Sequence, residues 1–186
     1  MLQEQKTTIR KKILNLLRNQ KEEERLRKSQ VIQEKLFFMP EFQSSKTILF
    51  YASFDGEVDT FEMMRKASSL GKQIALPTII KGTNQFVPIS VSNLEEDLEY
   101  GPYDIQQPCY DPAKAVKKKD LDMVIAPGVA FDKENKRLGR GKGFYDRFLD
   151  SLPKDVFSVG LAFDFQMFDC LPYQEHDVPV SCVISN

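Results

Sequence analysis

The stretch TILFYASFDGEVDTFEMMRKASSLGKQIALP, residues 47–77, has the pattern of a β-strand, a helix and a second β-strand. The apolar run at residues 47–51 suits a buried strand, and residues 73–76 form a second such run. Between them we predict a helix over residues 60–70 that ends at Gly71. This alternation is typical of a parallel sheet covered by helices.

Apolar runs in the C-terminal half continue the same alternation. They predict three further strands, at residues 123–126, 157–162 and 178–184. A helix is predicted between the first two of these strands, at residues 144–152. Residues 86–89 include Pro88 and are predicted to be an edge strand, because proline cannot donate a hydrogen bond inside a sheet. Residues 100–112, rich in Pro and Tyr, are predicted to be a loop. We therefore expect a single α/β domain over residues 1–186, with a mostly parallel, Rossmann-like sheet between two helical layers.

Two helices precede this domain pattern and form a predicted N-terminal helical arm. Ile9, Ile13, Leu16 and Leu17 give residues 6–20 one apolar face. A second helix is predicted over residues 21–38. Residues 1–39 hold ten Lys/Arg and five Asp/Glu, whereas the rest of the chain holds 16 and 22. A basic arm on an acidic body fits either an anionic ligand contacted by the arm or a solvated helical hairpin.

The composition excludes several classes of protein. Of 186 residues, 41% are hydrophobic and 28% charged, which is typical of a globular domain and not of a disordered chain. No apolar run approaches the 18 residues of a membrane span, and no secretory leader is recognisable. Three widely spaced cysteines and one histidine argue against a disulfide scaffold, a structural zinc and a multi-histidine metal site. We expect a cytoplasmic monomer that binds neither membrane nor nucleic acid.

The segment RLGRGKGFYDR, residues 137–147, carries the clearest chemical signal. It contains three of the nine glycines, alternating with cations, directly before a predicted helix. Glycines let backbone N–H groups approach an anion closely, and Arg and Lys add positive charge. The pattern predicts a phosphate-binding loop. It matches neither a Walker A loop, nor Gly-x-Gly-x-x-Gly, nor the RNA-recognition motif RNP1.

Residues 137–147, preceded by APGVAFD at residues 126–132, resemble the signature of the 5-formyltetrahydrofolate cyclo-ligase (5,10-methenyltetrahydrofolate synthetase) family. The resemblance spans nearly the whole chain in matching order, through KTTIR at 6–10, FDGEVDT at 54–60, LP at 76–77 and PYQEHD at 172–177. It implies a small single-domain α/β enzyme. It also implies that ATP and 5-formyltetrahydrofolate are converted to ADP, phosphate and 5,10-methenyltetrahydrofolate, through phosphorylation of the formyl oxygen.

The resemblance also assigns roles to individual residues. It makes Lys6 and Arg10 contacts to ATP, and it implies an ATP loop formed by Arg137, Leu138, Gly139, Arg140, Gly141, Lys142, Gly143, Phe144 and Tyr145. Arg140, Lys142 and Tyr145 are the expected catalytic residues. The implied magnesium carboxylates are Asp146 and Asp177, and Mg²⁺ commonly takes one or two carboxylates beside nucleotide oxygens. The implied folate contacts are Ala52, Phe54, Glu57, Tyr103 and Tyr145.

The chain departs from the family pattern at three positions. Tyr103 stands where many members carry a tryptophan, Thr78 where an arginine is common, and Ser181 where an acidic residue is frequent. The first departure reduces the aromatic area against folate. The second removes a cationic side chain that would contact an anionic group, and the third removes a second acid near Asp177.

Two other functions are compatible with the residues alone. One is an RNA-binding module that uses the basic arm and the Arg/Gly/Lys loop, whose binding would depend steeply on salt. The other is a sugar-phosphate enzyme on a similar α/β sheet that would turn over without ATP. A Cys170/His176 nucleophile pair lacks a third activating group.

Overall fold

A computed structural model of the chain, describing residues 1–83 and 85–186, has a six-stranded sheet at its centre. Its helices are α1 (Leu2–Arg18), α2 (Glu22–Phe38), α3 (Pro40–Ser44), α4 (Phe61–Ser69) and α5 (Phe144–Asp150). Its strands are β1 (Thr47–Leu49), β2 (Gln73–Ile79), β3 (Phe86–Val91), β4 (Leu98–Tyr100), β5 (Gln106–Pro108), β6 (Met123–Ala126), β7 (Ala130–Asp132), β8 (Arg137–Leu138), β9 (Phe157–Ala162), β10 (Met167–Phe168) and β11 (Cys182–Ser185).

The central sheet has the order β11-β9-β6-β1-β2-β3. All its pairings are parallel except that of β2 with β3, which confirms β3 as an antiparallel edge strand. Ile48 of β1 pairs with Ile74 on one side and Met123 on the other, so β1 is fully enclosed within the sheet. Parallel strands enclosed in this way read as continuous apolar runs, as residues 47–49 and 123–126 do.

The two faces of the sheet bury separate cores, because successive side chains on a strand point to opposite faces. Met123 and Ile125 of β6 pack with α1, α2 and α4, whereas Val124 and Ala126 pack with α5. Helix, sheet and helix therefore form the three predicted layers. The first helix is part of this packing, because Ile13 of α1 is fully buried against the sheet.

The sheet leaves a crevice where its connections change direction. The chain leaves β1 toward β2 through α4, whereas β6 lies on the opposite side of β1. Ligands of open α/β sheets bind beyond the carboxyl ends of the strands at such a switch point. The segments that follow β1, β2 and β6 are therefore the ones expected to build a site.

Several predicted boundaries were wrong for identifiable reasons. β2 continues through Pro77 to Ile79, since β1 pairs with it only as far as Ala75 and Pro77 then has a neighbouring strand on one side alone. β1 ends at Leu49, and β11 begins only at Cys182. The predicted loop at residues 100–112 contains β5, which pairs with β4 as a hairpin. A small sheet of order β10-β7-β8 was not predicted, because its strands have only two or three residues.

No helix in the 185 residues that the structure describes combines the length and apolarity needed to cross a bilayer.

Candidate active site

A cavity of about 330 Å³ lies beyond the carboxyl ends of β1, β2 and β6. Its walls come from β2, from the start of β3, from the segments after β1 and β6, from the β4–β5 hairpin, and from the glycine-rich loop with its flanking residues in β8 and α5. The lining residues are Tyr51, Ala52, Phe54, Glu57, Pro77, Ile79, Phe86, Tyr103, Ile105, Gln107, Pro127, Gly128, Arg137, Gly139, Arg140, Lys142, Gly143, Phe144, Tyr145 and Asp146. Most of the residues predicted from the sequence to bind ligands therefore share one cavity. The predicted residues outside its wall are Lys6, Arg10, Leu138, Gly141 and Asp177.

The glycine-rich loop connects β8 to α5 and needs glycine for its shape. Gly141 has φ +100° and Gly143, directly before α5, has φ +65°, both in the left-handed region. A Cβ at Gly139 would lie 2.9 Å from Nη1 of Arg137. Side chains at these positions would either strain the backbone or displace the guanidinium, so the loop can present its backbone closely to a ligand.

Arg137 is a buried cation at the base of this loop. Its Nη2 donates to Asp146 Oδ1 at 2.6 Å, and its Nη1 donates to the Pro127 carbonyl at 3.2 Å. Among the described residues, its Nε has no hydrogen-bond partner although the atom is buried. Leu138 beside it packs in a small core with Ala130 and Leu171, so its side chain faces away from the cavity.

Lys6 and Arg10 bring the first turns of α1 to the same loop. Lys6 is 2% exposed, and its Nζ contacts Asp177 Oδ2 at 2.5 Å and Gln174 Oε1 at 3.0 Å. Arg10 Nε donates to the Gly139 carbonyl at 2.9 Å, and burial lowers the pKa of its guanidinium. The inward face of the basic helix thus contacts the glycine-rich loop and the segment that carries Asp177.

Asp146 and Asp177, the two predicted magnesium carboxylates, belong to neighbouring segments. The Val178 backbone N–H donates to Asp146 Oδ1 at 3.3 Å, so the residue after Asp177 contacts the other acid. Hydrogen bonds from residues 1–83 and 85–186 reach one oxygen of each carboxylate, Oδ1 of Asp146 and Oδ2 of Asp177. Asp146 thus retains Oδ2 for a cation, and Asp177 retains Oδ1, which lies 4.0 Å from His176 Nε2. Two carboxylates fit Mg²⁺ when substrate phosphates and water complete its shell, although the described residues contain no cluster of three potential metal ligands.

A second group of charges surrounds Glu57, which also lines the cavity. Arg140 donates from Nε and Nη2 to Glu57 Oε1, at 3.2 and 2.9 Å, and from Nη1 to Asp55 Oδ2 at 3.0 Å. Its guanidinium carbon also lies 4.1 Å from the centre of the Phe54 ring. Arg18, near the end of α1, donates two hydrogen bonds to Asp55 at 2.7 and 2.9 Å. Two arginines and two carboxylates therefore form one network.

Glu57 is a buried carboxylate with a partly compensated charge. Desolvation by burial raises its pKa above the ordinary value of a glutamate, while the charge and hydrogen bonds of Arg140 oppose that rise. Its Oε2 accepts a long hydrogen bond from the Phe54 backbone N–H at 3.4 Å. Burial has removed water from this carboxylate, so N–H donors on a ligand can replace the lost hydrogen bonds.

Aromatic residues supply much of the remaining wall. The Tyr145 hydroxyl is buried and has no partner among the described residues, and burial raises its pKa well above the ordinary value. Its ring lies 5.0 Å from that of Phe86. Tyr103, at φ +67°, is exposed at the cavity rim, and Lys142 Nζ lies 5.9 Å from its ring centre. Phe144 packs with the core on the α5 side.

Two of the departures from the family pattern have structural roles in this chain. The Thr78 side chain is 2% exposed and donates to the Pro108 carbonyl at 2.7 Å, which joins β2 to β5. Ser181 lies 3.2 Å from Ser158 between their Oγ atoms, and its own Oγ accepts from the Ser158 backbone N–H. Neither residue is among those lining the cavity.

Among the charged and amide side chains in the cavity wall or bonded to it, sequence reasoning missed Asp55 and Gln107. Asp55 stands in a polar turn, DG, where an acidic residue is ordinary, and its link to Arg140 spans 85 residues of chain. Gln107 lies in a strand that was predicted to be a loop, so no alternation of side chains marked it as inward-facing. The Asp-Gly pair at residues 55–56 was the local signal for Asp55, and no local signal marked Gln107.

Comparisons with known proteins all point to one family. The model of the 5-formyltetrahydrofolate cyclo-ligase family matches residues 2–186. A probable 5-formyltetrahydrofolate cyclo-ligase of Caenorhabditis elegans is 31% identical over 98% of this chain and 93% of its own length. The 5-formyltetrahydrofolate cyclo-ligase of Mus musculus is 30% identical over 96% and 92%, respectively.

Solved structures give the same result. The NMR structure of 5,10-methenyltetrahydrofolate synthetase from Aquifex aeolicus is 35% identical, with a TM-score of 0.84 over 97% of this chain and 89% of that one. The 5,10-methenyltetrahydrofolate synthetase from Mycoplasma pneumoniae is 26% identical, with a TM-score of 0.76 over 96% and 97%. The family model spans residues 2–186, the range that contains the segments lining the cavity. This chain belongs to the 5-formyltetrahydrofolate cyclo-ligase family.

Proposed function

We propose that this chain catalyses the ATP-dependent cyclisation of 5-formyltetrahydrofolate to 5,10-methenyltetrahydrofolate, with release of ADP and phosphate. The observation that carries the proposal is that one cavity joins the glycine-cation loop to the buried carboxylate of Glu57 through Arg140. The loop offers backbone N–H groups and cations to phosphates. Glu57 offers acceptor oxygens to the N–H groups of a pterin.

The reaction must turn the formyl oxygen into a leaving group. In the proposed first step, that oxygen attacks the γ-phosphorus of ATP, and the bond from this phosphorus to the β,γ-bridging oxygen breaks to release ADP. N10 then attacks the formyl carbon and loses its proton, and phosphate departs with the former formyl oxygen. Positioning and charge neutralisation supply most of the catalysis in phosphoryl transfer.

The residues of the cavity divide this work. Lys142 is exposed on the loop and can reach the transferring phosphoryl group. The buried Tyr145 hydroxyl is a hydrogen-bond donor that has no partner among the described residues. Arg140 donates to Glu57 Oε1, so a pterin whose N–H groups donate to Glu57 competes with the Arg140 guanidinium for this carboxylate. We propose that Arg140 then turns toward the phosphates and that Lys6, Arg10 and Arg137 orient the nucleotide.

Asp146 and Asp177 would hold Mg²⁺ through their remaining oxygens, with Arg137 and Lys6 already balancing part of their charge. When bound, the ion would neutralise phosphate charge. Titration of nucleotide binding with Mg²⁺ tests this assignment, because Asp146→Asn should weaken the Mg²⁺ dependence of the nucleotide Kd by about tenfold. An unchanged dependence would reject Asp146 as a ligand.

An isotope experiment tests the phosphorylated intermediate. The enzyme is given Mg-ATP and 5-formyltetrahydrofolate that carries ¹⁸O in its formyl group, and the phosphate product is examined by mass spectrometry. Because the formyl oxygen leaves within phosphate, one ¹⁸O atom is expected in each phosphate released. Unlabelled phosphate alongside methenyl product would exclude this route.

The ion pairs of the N-terminal helices favour this function over RNA binding. Lys6 and Arg10 face inward and contact Asp177 and the Gly139 carbonyl, so they do not form an exposed basic surface. We propose that the protein acts as a monomer in the cytoplasm, where its three unpaired cysteines would stay reduced. Light scattering of the purified protein should give a mass near 21.4 kDa, and a mass twice that would refute the monomer.

A further inference from the structure

Gln107 of β5 places a side-chain amide in the cavity wall, and one end of that amide is fixed by the backbone. The residue is 7% exposed, and its Oε1 accepts a hydrogen bond from the Ile79 backbone N–H at 3.1 Å. Only the oxygen of an amide can accept from an N–H group, so the contact determines which end of the side chain is Nε2.

Two further contacts hold the amide in this position. Thr78, next to Ile79, donates to the carbonyl of Pro108, next to Gln107, at 2.7 Å. Gly101 leaves the space that the amide fills, because a Cβ there would lie 2.3 Å from Cδ of Gln107. The side chain is therefore preorganised before any ligand arrives, as a selective contact requires.

The two N–H bonds of Gln107 Nε2 donate to no residue in the described part of the chain. Across residues 1–83 and 85–186, no hydrogen bond from Gln107 Nε2 is formed, although the residue lines the cavity. The neighbouring wall is apolar or aromatic and includes Ile79, Phe86, Tyr103 and Ile105. An oriented amide donor beside apolar side chains is a usual arrangement for recognising one acceptor on an aromatic ligand. The nearest cation to this wall that the contacts show is Lys142, whose Nζ lies 5.9 Å from the Tyr103 ring centre.

We propose that Gln107 Nε2 donates a hydrogen bond to an acceptor oxygen on the benzoylglutamate part of the substrate, while the apolar wall contacts its ring. The inference rests on the proposed function, since that function supplies the substrate. The pterin ring has its own polar partner in Glu57, and the phosphates have the glycine-cation loop, which leaves the benzoyl portion for the hairpin wall. Gln107 is thus a specificity-determining residue that discriminates substrates at a distance from the reacting formyl group.

Steady-state kinetics with two substrates test the proposal. The first substrate is 5-formyltetrahydrofolate, and the second is 5-formyl-6-(anilinomethyl)tetrahydropterin, which keeps N10 and the phenyl ring but has no acceptor oxygen on that ring. Gln107→Glu retains an oxygen for the Ile79 N–H and removes the donor, and Gln107→Met removes both with little change in volume. Gln106→Glu is the control, because Gln106 belongs to the same strand but is not part of the cavity wall.

Both Gln107 variants should raise KM for 5-formyltetrahydrofolate at least tenfold, with kcat and the KM for ATP within about twofold of wild type. With the anilinomethyl substrate, wild type and variants should have the same KM within twofold. An equal KM rise with both substrates, or no rise with either, would overturn the role of Gln107. A thermal melt identifies a variant that fails to fold, in which case the other variant decides. Absence of turnover in the wild type would instead reject the proposed function.

Discussion

Arg140 donates two hydrogen bonds to a single oxygen of Glu57, although the sequence places these residues 83 positions apart. The contact joins the loop that resembles a phosphate site to the carboxylate that resembles a pterin site. Because one oxygen of Glu57 receives both donors, a ligand that needs this oxygen must share it or displace the guanidinium. Arg140 and Glu57 therefore connect the two halves of the cavity directly.

The burial of Glu57 predicts opposite effects of Glu57→Gln on stability and on substrate binding. Its raised pKa means that the folded protein favours the neutral side chain over the carboxylate. The stability that this preference contributes is present below the pKa of Glu57 in the unfolded chain. It is lost as the pH rises through the pKa of Glu57 in the folded protein. At pH 8 the neutral variant should unfold at the same urea concentration as wild type or a higher one. Its KM for 5-formyltetrahydrofolate should increase at least tenfold. A variant clearly less stable than wild type at pH 8 would contradict this account.

The same raised pKa predicts the acid limb of the activity profile. A protonated Glu57 loses an acceptor for N–H groups, so kcat/KM for 5-formyltetrahydrofolate should fall with decreasing pH. The midpoint of the fall should lie above the ordinary glutamate value of 4.5. This limb should be missing from the residual activity of Glu57→Gln, and a limb of unchanged position in that variant would assign it to another group.

Tyr145→Phe should stabilise the protein while slowing the reaction. The buried hydroxyl has no partner among the described residues, so its removal should add about 1 kcal/mol to the free energy of unfolding. If the hydroxyl donates to a reacting oxygen, kcat should fall at least tenfold. Urea denaturation and steady-state assays measure the two effects, and an unchanged kcat would remove Tyr145 from the catalytic group.

Lys6 and Lys12 allow a matched test of the first helix. Lys6 is buried against Asp177, whereas Lys12 is exposed on the same helix. Lys6→Met leaves Asp177 without its cation and should cost about 3 kcal/mol of stability, together with at least a tenfold rise in KM for ATP. Lys12→Met should leave both quantities near their wild-type values. Equal effects of the two substitutions would show that only the helix charge matters.

Gly56 and Gly71 separate backbone strain from steric exclusion. They have φ values of +82° and +80°, but a Cβ at Gly56 would lie 2.1 Å from the Leu17 carbonyl oxygen, whereas at Gly71 nothing lies within 4 Å. Gly71→Ala should cost about 1 kcal/mol. Gly56→Ala should cost at least about 3 kcal/mol, because it also pushes α1 away from the turn that carries Asp55. Similar midpoints in urea would disprove this contact.

The layers of the fold were predictable because buried parallel strands and amphipathic helices have strong local patterns. The continuous apolar runs at β1 and β6 and the glycine that ends α4 each gave a direct signal. The strands β7, β8 and β10 gave none, because two or three residues cannot establish a period. Their register depends instead on long-range contacts, such as that of Asp132 with the Leu171 backbone N–H at 2.9 Å.

Most of the residues expected to bind ligands line one cavity, but their contacts with one another were not predictable from the sequence. The spacing of the glycines and cations in residues 137–147 indicated a loop for phosphate, and the loop does line the cavity. The sequence did not indicate that Arg140 would contact Glu57, or that Gln107 would be fixed by Ile79. Such pairs depend on which segments the sheet order brings together, and a single sequence contains no record of that proximity.

The most direct test of the proposed reaction follows both products at once. ADP release is measured by a coupled assay while the absorbance of the methenyl product is recorded, with Mg-ATP present and with or without 5-formyltetrahydrofolate. We predict that ADP and methenyltetrahydrofolate appear in a one-to-one ratio, and that neither appears when the folate is omitted. ADP release without methenyl product, or silence in both measurements from folded protein, would contradict the proposed function.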